Sequence, residues 1–247
     1  GHLAGIRHYE LMLRWPFYEA WLNQEFASTR EALSLFDEDA LIAEPGTEMN
    51  YSSYGYNLLA ATIESAIEQP FTELMSNKVL APLNMSRTQP DVADSFDANT
   101  ASWYAKSLLT DSMKSARVIN SSYKRAGGGY LSTPTDMVKL GNAWLSSTLF
   151  DHGVRDLFVT PQTLNNGDVN KEGYAMGWRT QTISLENDEG QKTPHKVIYH
   201  DGKIEGGTAF LILFPEKELV IAATINSDID NFMDLPRSCF EIAKSFL

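Results

Sequence analysis

Chemistry-bearing side chains gather in three short stretches of this 247-residue chain. In the first, Tyr51-Ser52-Ser53, two hydroxyls (Tyr51 and Ser53) stand where an apolar, helix-spaced run begins. Tyrosine titrates near about 10, so Tyr51 as a general base needs cationic neighbours to lower it. The same residues also read as a helix N-cap with aromatic packing, because serine is favoured there. Both readings stand on the sequence. In the second stretch, His200-Asp201-Gly202, an imidazole ends a strand ahead of an Asp-Gly turn signal. His200 could donate to a bound carboxylate or oxyanion, as could the backbone N–H groups after it. It could equally be a surface histidine in a turn.

The third stretch, Ser121-Ser122-Tyr123-Lys124, is the chain's one Ser-x-x-Lys. In a helix that spacing puts hydroxyl and amine on one face, as a lysine-activated nucleophile requires. It lies just ahead of the glycines 127 to 129, a poor place for a helix, and is read as structural. The chain has no Gly-x-Ser-x-Gly elbow. His2, His8, His152 and His195 lack the partner spacing of a zincin helix or zinc finger, so no metal is expected.

The elements that must position these groups follow from periodicity and punctuation. Residues 28–36 carry a capping-box signature, Ser28 with Glu31, for a short helix. Pro45-Gly46 marks a loop. Tyr54, Leu58, Leu59, Thr62, Ile63, Ala66 and Ile67 recur at helical spacing and predict an amphipathic helix over 54–68. On it Tyr54, Tyr56, Leu58 and Leu59 are expected to pack. A further helix follows, stopped around Ala81-Pro82, and 86–126 reads as loops and short strands. Ser132 or Thr133 caps a helix with Pro134 in its first turn. From Tyr174 onward, β-branched and aromatic runs predict consecutive antiparallel strands, with Pro215–Glu218 as a hairpin turn and a closing helix. The order implies an α+β chain in two lobes, a helical and loop lobe over about 1–173 and a sheet lobe over about 174–247.

Bulk properties exclude several classes. A net charge of −12 repels a phosphate backbone and argues against nucleic-acid binding. Hydrophobic content of 43% argues against disorder. No apolar run reaches the roughly 20 residues of a membrane span. Cys239, alone, makes no internal disulfide, and its place in a helical tail suits a buried, inert thiol.

The stretches 2–10 (HLAGIRHYE), 44–64, 121–145, 171–178 (KEGYAMGW) and 200–216 occur in one order along the chain. Together they resemble the serine β-lactamase-like family of class C β-lactamases, low-molecular-weight penicillin-binding proteins, and related esterases and peptidases. The branch most similar is that of mitochondrial active-site-serine β-lactamase-like proteins and their bacterial relatives. The resemblance implies a β-lactamase/transpeptidase-like fold, an antiparallel sheet flanked by helices plus a mainly helical lobe.

By that resemblance Tyr51 relays a proton between nucleophile and leaving group, and Ser53 takes the third place of the Tyr-x-Asn motif. His200 would help hold the tyrosine's proton state and orient a substrate carboxylate. Gly202 and the backbone N–H of Lys203 would serve the oxyanion, although Lys203 stands where a small residue is expected. The family's nucleophile, the serine of a Ser-x-x-Lys, lies upstream of the segment that here begins at His2. The N-terminal strands and nucleophile helix are therefore expected to be absent from the chain, which alone is expected to be inactive. The intact protein is expected to hydrolyse small amides or esters, including D-amino-acid peptides or β-lactams, through an acyl-enzyme. The resemblance brings no cofactor, allows homo-oligomers, and implies export or a periplasmic location if the source is bacterial. The alternative is a non-catalytic binding or scaffold protein on the same fold.

Overall fold

The computed structural model describes residues 1–9, 19–92, 97–107, 109–110, 112–148, 150–186 and 190–247. In chain order come helices α1 (Ser53–Ile67) and α2 (Phe71–Met75), strands β1 (Gln89–Pro90), β2 (Tyr104–Lys106) and β3 (Met113–Ser115), and helix α3 (Arg125–Gly128). Strand β4 (Tyr130–Leu131) and helices α4 (Pro134–Leu145) and α5 (His152–Val159) follow. Strands β5 (Arg179–Glu186), β6 (Lys192–Ile204), β7 (Gly207–Phe214) and β8 (Leu219–Ile225) precede the last helix, α6 (Asp234–Lys244). The architecture is α+β, as expected. No helix among the described residues is long and apolar enough to cross a membrane.

Two compact units interleave along the chain. One comprises Gly1–Thr100, Arg117–Ser132 and Thr163–Asn170; the other comprises Ala101–Ala116, Thr133–Gln162 and Lys171–Leu247. The sequence suggests a single break near 173. The units exchange segments instead, because Trp144 on α4 and Val159 on α5 pack against Ile198, Leu211 and Leu213 of the sheet.

In the first unit, α1 starts at Ser52, whose Oγ accepts from Gly55 N–H at 3.0 Å. Its buried stripe is Ser53, Tyr54, Asn57, Ala60 and Ala61, with Tyr54 stacked on Phe36 at 4.4 Å between ring centroids. Leu58 and Leu59, expected to pack, are exposed, as is Ile67. The small residues win the inward face because they admit close neighbours: Asn57 Nδ2 donates to the Tyr123 carbonyl at 2.5 Å. Residues 31–35 form a 3-10 helix. Ser28 Oγ accepts from Glu31 N–H, and the Glu31 carboxylate accepts from Ala27 N–H. The expected reciprocal cap does not form as such, since the N-cap of this tighter helix is Arg30, without a side-chain cap, and Glu31 reaches back to Ala27 N–H and not to that of Ser28. After α2 the chain makes a π-helical turn, Ser76–Leu80, ahead of Pro82.

In the second unit the strands run antiparallel in the order β5-β6-β7-β8. One face buries Val197, Phe210, Ile212 and Phe214 against Leu235 and Cys239 of α6. The other buries Ile198, Leu211 and Leu213 against Trp144, Val159 and Trp178. Covered on both sides, β7 is an unbroken apolar run from Ala209 to Phe214, where a half-exposed strand would alternate. Thr133 caps α4 by accepting from Asp136 N–H, and residues 215–217 close the β7–β8 hairpin as a 3-10 turn.

One expectation is overturned here. His200-Asp201-Gly202 does not end a strand, since β6 runs on to Ile204 and the turn falls after it. Pairing with β7 (Asp201 opposite Phe210, Gly202 opposite Ala209, Lys203 opposite Thr208) overrides the local turn preference of Asp-Gly.

Candidate active site

The cap reading of Tyr51-Ser52-Ser53 belongs to Ser52, which both caps α1 and donates its hydroxyl to the Arg7 carbonyl at 2.7 Å. Two histidines hold the rest of the turn. Ser52 N–H donates to His2 Nδ1 at 3.0 Å, and Ser53 N–H donates to His8 Nδ1 at 3.1 Å. Both rings border Tyr51: His2 lies tilted against it at 4.3 Å and His8 meets it edge-on at 5.3 Å. An imidazole that accepts at Nδ1 is neutral and carries its proton on Nε2. Ser53 Oγ donates to the Gly127 carbonyl at 3.4 Å. A Cβ on Gly127 would lie 2.7 Å from Ser53 Cβ and carbonyl oxygen, so this position tolerates only glycine. The glycine-rich loop is thereby a wall against which Ser53 is set.

Aromatic and cationic groups surround the turn. Lys124, 4% exposed, places its ammonium 5.5 Å from the Tyr9 ring centroid and 5.4 Å from that of Tyr123. Burial pushes the Lys124 amine below its ordinary value, with Asp91 opposing. Burial also pushes Tyr56 up to about 12, and Coulomb coupling to Tyr51 adds to it. His8 is lowered to about 4, first by burial and second by Lys124, with Glu19 opposing. Sequence reasoning passed over His8 and Lys124 in this role. No local spacing connects residues 8, 53 and 124.

Ser121 of the Ser-x-x-Lys is tied into the fold. Residues 121–124 do turn helically, as a 3-10 segment capped by Asn120, although the glycines that follow make it a poor place for a longer helix. The helical turn orients Ser121 toward Asp91, to which its hydroxyl donates at 2.6 Å, while Ser122 Oγ accepts from Phe26 N–H. Both hydroxyls tie the fold together.

In the second unit, His200 is held at both ring nitrogens. Nδ1 faces the Asp201 carbonyl at 2.7 Å, so it carries the proton and donates. Nε2 of the neutral ring then accepts from the Tyr174 hydroxyl at 2.6 Å. Burial lowers the His200 proton affinity and Arg179 adds to this; the Asp201 charge and carbonyl oppose. Tyr174 is 1% exposed, and its loop is pinned at Gly173, where a Cβ would lie 2.5 Å from the Thr180 carbonyl oxygen. The signal for Tyr174 was present in the sequence, within KEGYAMGW, but nothing there gave it a partner.

Beyond His200, among the described residues, β6 has β7 on one side only, because β5 pairs no farther than Arg179 opposite Tyr199. Gly202 and Lys203 are exposed on this one-sided segment, and a Cβ on Gly202 would meet nothing within 4 Å. Among the described residues no three His, Cys, Asp or Glu side chains converge to hold a metal ion.

The profile of the beta-lactamase family matches residues 2–238. The chain belongs to the beta-lactamase family. Human mitochondrial serine beta-lactamase-like protein LACTB is 31% identical over 227 residues, which are 85% of this chain and 41% of that protein. Protein flp of Staphylococcus aureus is 25% identical over 199 residues. The chain thus spans about two fifths of the length of the curated relatives it matches. Among solved structures, D-amino acid amidase from Ochrobactrum anthropi superposes with a TM-score of 0.74 at 19% identity, over 99% of this chain and 69% of that one. A penicillin binding protein from Bacillus halodurans gives 0.73 at 19% identity, over 98% of this chain and 70% of that one. These likenesses give this beta-lactamase-family chain the β-lactamase/transpeptidase fold.

Proposed function

We propose that the intact protein is a serine hydrolase that forms an acyl-enzyme on small amides or esters. The observation that carries this reading is the held Tyr51–Ser53 turn, in which both neighbouring imidazoles and Ser52 are committed to the backbone. A helix cap alone needs only Ser52. In this reading Tyr51 relays the proton, and Ser53 lines the site against Gly127. The one-sided edge of β6 at Gly202 and Lys203 supplies a backbone N–H to the oxyanion, where donors placed in advance are worth most. His200 has its donor committed to the Asp201 carbonyl and its acceptor to Tyr174, so its part in this reading is to hold the β6 edge beside Gly202. Ser121, whose hydroxyl donates to Asp91, is not given the acylated role in this reading.

The substrates we propose are D-amino-acid amides or short D-peptides, a class suggested by the names of the amidase and amidohydrolase neighbours. Self-assembly is part of the proposal, after the octameric homologue from Pyrococcus abyssi. The test is labelling of the full-length protein with a fluorophosphonate and with a fluorescent penicillin, followed by turnover of D-phenylalanine amide. Labelling that resists hydrolysis in Tyr51→Phe supports the mechanism. No labelling by either probe sinks it and leaves a binding or scaffold role.

A further inference from the structure

We propose that His8 is a positioning residue for the Tyr51–Ser53 turn, and that the buried Lys124 ammonium keeps the His8 ring free of a second proton. The geometry has three parts. His8 Nδ1 accepts the Ser53 N–H at 3.1 Å, which only an unprotonated Nδ1 can do. The His8 ring packs on Tyr9 at 3.9 Å and meets the edge of Tyr51 at 5.3 Å, so its orientation is passed to the tyrosine. Lys124 lies against the far components of the same cluster, over Tyr9 and Tyr123.

A buried ammonium is ordinarily matched by a carboxylate. Among the described residues none lies within ion-pair distance of Lys124, and the two tyrosine rings, each within about 6 Å, are its cation–π partners. Asp91 offsets that charge only from beyond ion-pair distance, so a net positive charge stays in the cluster that holds His8, where a second cation is disfavoured.

The other charged or titratable groups facing His8 do not reverse this. Glu19, from the 3-10 helix Glu19–Trp21, would favour protonation, but Arg7 binds both of its carboxylate oxygens at 2.8 Å. Arg7 also donates to the His8 carbonyl at 3.1 Å. Tyr9 and Tyr51 are the remaining neighbours; burial raises Tyr9, which stays neutral. His8 itself is lowered to about 4, with burial the larger cause and Lys124 the second. Were the ring protonated, Ser53 N–H would lose its acceptor and face a donor, and the turn that aims Tyr51 would come apart.

The step from clamp to catalysis rests on the role proposed above for Tyr51, but the clamp can be read without any activity. Long-range proton–nitrogen correlation spectra of the nitrogen-15-labelled chain, with His8 assigned by loss of its signals in His8→Gln, report ring tautomer and titration directly. The expected result is an Nε2–H ring, bare at Nδ1, from about pH 5 to pH 8. In Lys124→Met the His8 midpoint rises by about one unit or more, while Lys124→Arg leaves it in place. Lys124→Gln replaces Lys124→Met if the latter does not fold.

An Nδ1–H tautomer, or a wild-type midpoint in the ordinary histidine range, overturns the clamp. An unchanged midpoint on removing the Lys124 charge overturns the role of Lys124. Neither outcome depends on substrate, so a protein that fails to hydrolyse anything leaves these readouts intact and counts only against the proposed function.

Discussion

The Tyr174 hydroxyl donates to His200 Nε2 at 2.6 Å, while His200 Nδ1 donates to the Asp201 carbonyl, so the imidazole is fixed in one tautomer from both ends. Tyr174→Phe is expected to cost about 1–2 kcal/mol, the worth of one buried hydrogen bond whose partner is left bare. It also raises the His200 titration midpoint, since the lost bond favoured the neutral ring. Chemical denaturation and an imidazole titration measure the two effects. A variant with unchanged midpoint and unchanged stability contradicts the assignment.

The two serines of the turn separate by what they do. Ser52→Ala removes the acceptor for Gly55 N–H and is expected to cost about 1 kcal/mol by urea denaturation. In the full-length protein, Tyr51→Phe is expected to lower kcat/KM by about 10²–10⁴-fold with little change in Tm, because the ring contacts with His2 and His8 survive. Equal losses of stability in both variants would mean that Tyr51 only packs.

Ser121→Ala tests the alternative nucleophile. It removes a donor to Asp91 and is expected to destabilise by about 1 kcal/mol. Fluorophosphonate labelling of the full-length protein should be unaffected. Loss of the label together with retained folding would make Ser121 the acylated residue.

Gly127→Ala drives a methyl group into Ser53 at 2.7 Å. Backbone on backbone cannot yield as a flexible side chain would, so a cost of about 1–3 kcal/mol is expected, with Ser53 displaced. Thermal melts of the variant against Gly128→Ala, where a Cβ meets nothing within 4 Å but the backbone angle is 156°, separate crowding from strain.

Stability should fall with acid before the carboxylates titrate. His8 and His200 both bind protons less readily when folded than when unfolded. The unfolded chain therefore takes up more protons below about pH 6.5, and stability is complete above that value and lost as pH falls toward 4. Tm is expected to be lower at pH 5 than at pH 7 by a few degrees. His8→Asn, whose carbonyl oxygen can accept from Ser53 N–H without titrating, should flatten that slope.

The sequence by itself determined what local rules and motif order can carry. Thr133 with Pro134 starts α4, the runs after Tyr174 become a meander, and the glycine-rich loop, KEGYAMGW and His200–Gly202 in order give the family. Periodicity named the helix at Ser53–Ile67 and the packing of Tyr54, but misplaced the rest of the buried face. Leu58 and Leu59 are exposed while Asn57 and Ala60 are buried, because burial follows which neighbours can approach and not hydrophobicity alone. Asp-Gly signalled a turn that pairing with β7 overrode. Only the tertiary structure decided that Ser52 is the cap, that Ser121 serves Asp91, that Tyr174 completes His200, and that His8 and Lys124 join the Tyr51 turn. Each of these joins residues remote in sequence, or chooses among adjacent hydroxyls by direction. Hydrogen bonds and charges act through space, and one-dimensional spacing contains neither distance nor direction.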